Sequence, residues 1–178
     1  MKGKGQRAER KGMVAGFLLV MLCAPAAASA QQMIVFVRHA ERADGGAGAG
    51  SMTPPTPADP LLSAAGQARA ARLAVMLADA GVKGIYATEF HRTQDTGRPL
   101  AAKLGIPVQS IPASDTNALV AAIKKDHPKD VVLVIGHSNT VPGLIKAFGG
   151  PAITMRDDEY DALYVLQPAT GAWTVIRY

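Results

Sequence analysis

The sequence predicts a three-layer α/β/α domain with a mostly parallel central sheet, and three observations predict it. Met33-Ile34-Val35-Phe36-Val37 and Val131-Val132-Leu133-Val134-Ile135 are continuous apolar, β-branched runs, the composition of strands covered on both faces. Helical periodicities fill the chain between them. Strand and helix patterns alternate, the sign of helices layered on a sheet.

The elements follow in order. The first run stops at Arg38-His39. Ser63 has N-cap chemistry for a helix reaching Ala80, with Leu73, Met76, Leu77 and Ala80 at i, i+3, i+4 and i+7. Gly81 ends it, and Gly84-Ile85-Tyr86-Ala87 reads as a short buried strand. A second helix runs from near Phe90 to Leu104, stopped by Gly105 and Pro107. A third follows Ser114 to about Lys125 and closes at His127-Pro128. The second apolar run stops at Gly136-His137-Ser138-Asn139. A fourth helix then places Val141, Leu144, Ile145 and Phe148 on one face and ends at Gly149-Gly150. Two strands, Ala162 to Leu166 and Trp173 to Arg177, complete the domain. Asp44 to Pro60, dominated by glycine, alanine and proline without periodicity, reads as a long loop of the kind that rims active sites.

Residues 1–30 are set apart. Lys2, Lys4, Arg7, Arg10 and Lys11 precede the apolar run Phe17 to Ala24, and Ala28-Ser29-Ala30 precedes Gln31. This pattern predicts a secretory signal peptide cut after Ala30, hence a periplasmic or secreted protein without stable membrane insertion after cleavage. The apolar run is shorter than the ~20 residues of a membrane span, and Leu22 before Cys23 is too bulky for a lipoprotein cleavage site. The whole chain is +5, but residues 31–178 hold 14 Lys+Arg against 13 Asp+Glu, net +1, so the basicity that would suggest nucleic acid belongs to the leader. The single cysteine, Cys23, lies there too. The 148 residues that remain make one domain without a thiol or disulfide.

Two histidines therefore stand at the carboxyl ends of two buried strands, where open α/β sheets collect functional groups. An imidazole with one nitrogen held by an acceptor is a nucleophile at the other, and an arginine fork matches phosphate oxygens. Arg38 adjoins His39, Arg92 lies in the first turn of the second helix, and His137 precedes a helix N-terminus that favours anions. Four histidines without i, i+4 spacing or a partnering cysteine argue against a metal carrier.

Val37-Arg38-His39-Ala40-Glu41 resembles the Arg-His-Gly signature of the histidine phosphatase (phosphoglycerate mutase-like) superfamily. Leu62-Ser63-Ala64-Ala65-Gly66 resembles its Leu-Thr/Ser-x-x-Gly helix start. Thr88-Glu89-Phe90-His91-Arg92-Thr93-Gln94-Asp95-Thr96 resembles its Ser-x-x-x-Arg-Ala/Thr-x-Gln-Thr segment, and Gly136-His137-Ser138 its second Gly-His motif. The resemblance implies a phosphoglycerate mutase-like fold and a phosphatase, exported if the leader is cut, in which His39 takes the phosphoryl group. Arg38, Arg92 and His137 would bind phosphate, Ser138 and Asn139 would cap the following helix, contact phosphate, or both, and neither metal nor organic cofactor is implied. Asp115 is the general-acid candidate by position, although a first-turn acid also suits helix electrostatics. Glu41 and Asp157 are its rivals. Ala40 departs from the usual glycine, Thr88 from serine and Asn139 from glycine. Glu89 reads as a solvated first-turn residue, His127 as structural, His91 as either a substrate contact or a surface residue, and Tyr160, Tyr164 and Trp173 as packing. Arg42 lies at the pocket mouth or pairs with a nearby acid. The chain lacks the large insertions that build substrate caps, which disfavours a mutase. The expected substrate is a phosphorylated small molecule or an envelope phosphate group; the alternative is a phosphate-binding module without turnover.

Overall fold

The computed structural model describes residues 32–44 and 59–178, so the leader and most of the glycine-rich segment lie outside the described residues. Six strands form one sheet in the order β3-β2-β4-β1-β5-β6. β1 (Met33–Arg38), β2 (Val82–Ala87), β3 (Val108–Ser110) and β4 (Val131–Gly136) are mutually parallel, and β5 (Ala162–Gln167) and β6 (Ala172–Arg177) complete the sheet antiparallel. The sheet is mixed and mostly parallel, as expected. β3 has no counterpart in the sequence reading, because it is a three-residue edge strand, largely exposed and without an apolar run.

The alternation along the central strands builds the layers. Ile34, Phe36, Val132 and Val134 pack on one face against Leu119 and Ile123 of α3 (Thr116–Asp126) and Leu144 and Ile145 of α4 (Val141–Ala147). Val35, Val37, Leu133 and Ile135 pack on the other against Leu73 of α1 (Ala64–Met76) and Leu100 of α2 (His91–Leu104). Each helix thus covers a stripe that strands buried on both faces require. α1 ends earlier than its periodicity predicts: Leu77 is its C-cap, and Ala78 to Gly81 form turns that lead into a longer β2. Gly105 takes the left-handed conformation (φ 67°) that ends α2.

The segment after β1 is tied to the start of α1 by an antiparallel bridge between Arg42 and Leu62, with Ser63 N–H donating to Glu41 O at 2.9 Å. Ser63 Oγ accepts from Gly66 N–H at 3.1 Å and caps the helix. Gly66 is required by close approach, since a Cβ there would overlap the Glu41 backbone carbonyl. Backbone cannot rotate away as a side-chain tip can. Gly66→Ala should therefore lower stability by about 1–3 kcal/mol, the scale of overpacking, read as a lower urea midpoint at unchanged slope. An unmoved midpoint would show that α1 slides freely on the Glu41 segment.

Candidate active site

Strand register assembles the centre. Arg38 of β1 pairs with Gly136 of β4, and His39 N–H extends the ladder by donating to Gly136 O at 2.9 Å. The next residues, His39 and His137, therefore emerge side by side, with ring centroids 5.3 Å apart. Ala87 of β2 pairs with Ile135 of β4, so Thr88 leaves the sheet beside them. Three parallel strands end on one line at the carboxyl edge, where such sheets form crevices.

His39 has a fixed tautomer. Its Nδ1 is 2.8 Å from Ala40 O, an acceptor only, so Nδ1 carries the proton and Nε2 the lone pair. Ala40 N–H donates to Thr96 Oγ1 at 2.9 Å, and Thr96 hydroxyl donates to Arg92 O at 2.7 Å, joining the first motif to α2. The Ala40 methyl, absent from a glycine, packs fully buried against Leu62 and Ala70. The departure from the Arg-His-Gly pattern is thus absorbed by α1, away from the imidazoles.

His137 is held by its own network. Its Nε2 is 2.9 Å from Thr88 Oγ1, which is 2.8 Å from Thr93 Oγ1, and the Thr93 hydroxyl donates to Phe90 O at 2.7 Å. Arg92 Nη2 approaches His137 Nδ1 at 3.5 Å. Because guanidinium only donates, the consistent assignment puts the proton on Nε2 and leaves Nδ1 facing Arg92. Phe90 supports both residues: its ring stands perpendicular to His137 at 5.3 Å and lies 4.2 Å under the Arg92 guanidinium.

Arg38 is almost fully buried, and a cradle formed by residues 156–160 fixes it. Nη1 donates to Arg156 O at 3.2 Å and to Asp157 O, Nη2 donates to Tyr160 hydroxyl at 3.3 Å, and the guanidinium stacks 4.1 Å from the Tyr160 ring. Nε has no partner among the described residues. Tyr160, read from sequence as packing, is thus a site residue, with its ring also 6.1 Å from His39. Arg42 is buried and paired with Asp44, and its charge reaches His39 and Arg92.

Burial pushes His39 from 6.5 down to about 3, helped by Arg38, Arg92 and Arg42 against the opposing Ala40 carbonyl. Burial likewise pushes His137 down to about 3, helped by His39, Arg92 and Arg38. Both imidazoles are neutral when folded, whereas in the unfolded chain they protonate near 6.5. Between these values the unfolded state binds more protons, so the stabilisation is complete above about pH 6.5 and declines as pH falls towards 3. Each histidine contributes a slope of up to about 1.4 kcal/mol per pH unit. Urea unfolding between pH 7.5 and 4.5 should show this loss, and His39→Gln/His137→Gln should flatten it. Equal slopes in both proteins would mean the imidazoles are not held neutral.

The other sequence candidates are placed as follows. Asp115 caps α3, with Oδ1 accepting from Ala118 N–H at 2.9 Å on an exposed surface, the helix-start role considered for it above. Glu41 is gripped by Arg69 through both oxygens, and Asp157 Oδ1 accepts from Ser138 Oγ at 2.6 Å. Ser138 does not cap α4: Thr140 is the cap residue, and its hydroxyl accepts from His137 N–H at 2.9 Å. Glu89, expected to be solvated, is exposed but accepts from Ala113 N–H at 2.7 Å. His127 pairs with Asp130 at 2.9 Å and packs edge-on to Tyr86. Tyr164 is core, but Trp173 is 47% exposed on the edge strand β6, against the packing expectation. Asp59 was missed by sequence reasoning; it contacts His91 and Arg92 from 32 and 33 residues away, a separation without a sequence signal. Among the described residues, no group of three His, Cys, Asp or Glu is arranged to hold a metal ion.

Residues 34–113 match the family model described as histidine phosphatase superfamily (branch 1). Among solved structures, the fold is similar to Bacillus stearothermophilus YhfR, with a TM-score of 0.62 at 16% identity over 82% of this chain and 96% of that one. It is similar to the mycobacterial glucosyl-3-phosphoglycerate phosphatase, with a TM-score of 0.61 at 14% identity over 82% and 97%. It is also similar to the protein histidine phosphatase SixA, with a TM-score of 0.58 at 18% identity over 81% and 94%. At these identities the likeness is one of fold. No curated protein matches the chain significantly.

Proposed function

We propose that the chain is a phosphatase of the histidine phosphatase superfamily, whose model matches residues 34–113, and that it hydrolyses phosphomonoesters or phosphoramidates through a phosphohistidine on His39 Nε2. The observation carrying this reading is a neutral imidazole, its Nδ1–H held by Ala40 O, beside two buried arginines and a second imidazole. The Nε2 lone pair attacks phosphorus as the bond to the leaving oxygen breaks, and water then displaces the imidazole. Arg38, through Nε, and Arg92 donate to the equatorial oxygens and stabilise the charge that builds there. His137 Nδ1 takes up a proton as the phosphate dianion arrives and becomes a further donor. No cofactor enters this scheme.

We further propose export, on the basic-apolar-small pattern of residues 1–30, with a phosphorylated small molecule or envelope phosphate group as substrate. The purified chain from Gln31 should release inorganic phosphate from some member of a panel of sugar phosphates, nucleotides and phosphohistidine peptides. Vanadate binding without turnover on any of them would make it a phosphate-binding module. Mass spectrometry of the exported fraction should find an N-terminus at Gln31, and a full-length chain confined to the cytoplasm would overturn export.

A further inference from the structure

At the start of α2, one carboxylate joins the phosphate clamp to a third imidazole. Asp59 Oδ2 accepts from the His91 backbone N–H at 3.0 Å and lies 2.7 Å from His91 Nδ1. The other oxygen, Oδ1, is 3.4 Å from Arg92 Nη1. His91 is therefore separated from the clamp by the width of a carboxyl group. Asp59 Oδ2 fixes Nδ1 as the protonated nitrogen facing it, so Nε2 is the nitrogen open to a ligand. The His91 side chain is 64% exposed, whereas His39 is buried on the sheet edge. In-line displacement by His39 puts the leaving oxygen on the far side of phosphorus, and His91 is an exposed imidazole joined to the phosphate clamp through Asp59.

We propose that His91 is the proton donor to the leaving group and that Asp59 is its positioning residue, an assignment that rests on the phosphohistidine reading above. In the first step the His39 Nε2–P bond forms and the P–O bond to the leaving group breaks. The proton of His91 Nε2 passes to the leaving oxygen, while Nδ1–H stays on Asp59. In the second step neutral His91 takes a proton from the attacking water, the O–P bond forms, the N–P bond breaks, and phosphate departs. His91 is thereby returned to its protonated form. The charged groups around this pair are Asp59 and Arg92, with Glu89, Asp44 and Arg42 acting on Arg92. Asp115, by contrast, has Oδ1 engaged in capping α3.

The test compares glycerol 2-phosphate, whose alkoxide leaves poorly, with p-nitrophenyl phosphate, whose leaving group needs little proton help. His91→Gln should lose about 10²–10⁴-fold in kcat/KM on glycerol 2-phosphate, the contribution of a general acid, and less than about tenfold on p-nitrophenyl phosphate. With the aryl ester the same variant should show a burst and accumulate phosphohistidine, because the base for the second step is gone. Asp59→Asn should show the same split, less severely, since its amide oxygen still accepts from Nδ1–H. Equal loss on both esters, no loss on either, or the split appearing in Asp115→Asn instead would overturn the assignment. Failure of wild-type protein to label at His39 would overturn the reading beneath it, whereas a labelled wild type with no split in His91→Gln overturns the His91 assignment alone.

Discussion

His39→Ala eliminates both the covalent label and turnover, lowering kcat on the order of 10⁶-fold, the scale for a nucleophile acting as a unit with its partners. The expectation follows from the proton on Nδ1. With that site donating to Ala40 O, Nε2 is the one nitrogen able to form the phosphoramidate, and no other group takes over a two-step route. Labelled phosphate from substrate should appear in the quenched wild-type protein as an acid-labile, base-stable adduct. His39→Ala should carry none, while His137→Ala keeps the nucleophile and loses turnover through weaker charge stabilisation. Full activity in unlabelled His39→Ala would end the covalent mechanism.

Arg92→Ala should cost about 2.7–4 kcal/mol in kcat/KM, the scale for removing one preorganised donor. The guanidinium lies on the Phe90 ring, with one edge at Asp59 and another at His137. Its orientation is therefore set before substrate binds. Lysine should rescue only part of the loss, because a point charge cannot span a carboxylate and an imidazole while presenting a fork to phosphate. Steady-state kinetics on p-nitrophenyl phosphate check both variants, and near-normal values in either would remove Arg92 from the clamp.

Much of this centre was legible because chemistry and periodicity coincide in the sequence. The apolar runs of β1 and β4 announce buried parallel strands, and each ends at a histidine. What neither run announces is that the strands are neighbours in matching register, the fact that brings the two rings to 5.3 Å. Ser63 as a cap followed from its residue type. The need for Gly66 came instead from contact with Glu41, 25 positions earlier. Tyr160 and Asp59 were illegible for the same reason: an aromatic after an acidic stretch and an aspartate before a proline look ordinary until distant arginines are placed on them. Asp115 shows the converse, a residue whose sequence position suits two roles and whose side chain is found in the commoner one.

The fixing of Arg38 bears on how the protein is made. β1 precedes the other described strands in synthesis, yet its neighbours in the sheet are β4 and β5, and the carbonyl that receives its guanidinium lies 119 residues later. A nascent chain, or one threading a membrane from its N-terminus, carries Arg38, His39 and Arg92 long before anything exists to aim them. Its early half has no sheet partner for β1 and exposes an apolar strand, the condition in which chains await helpers or misassemble. Closure of so distant a pairing is slow compared with local helix formation. Reactivity therefore arrives all at once, when Tyr160 and β5 emerge, and a growing chain is chemically silent until then.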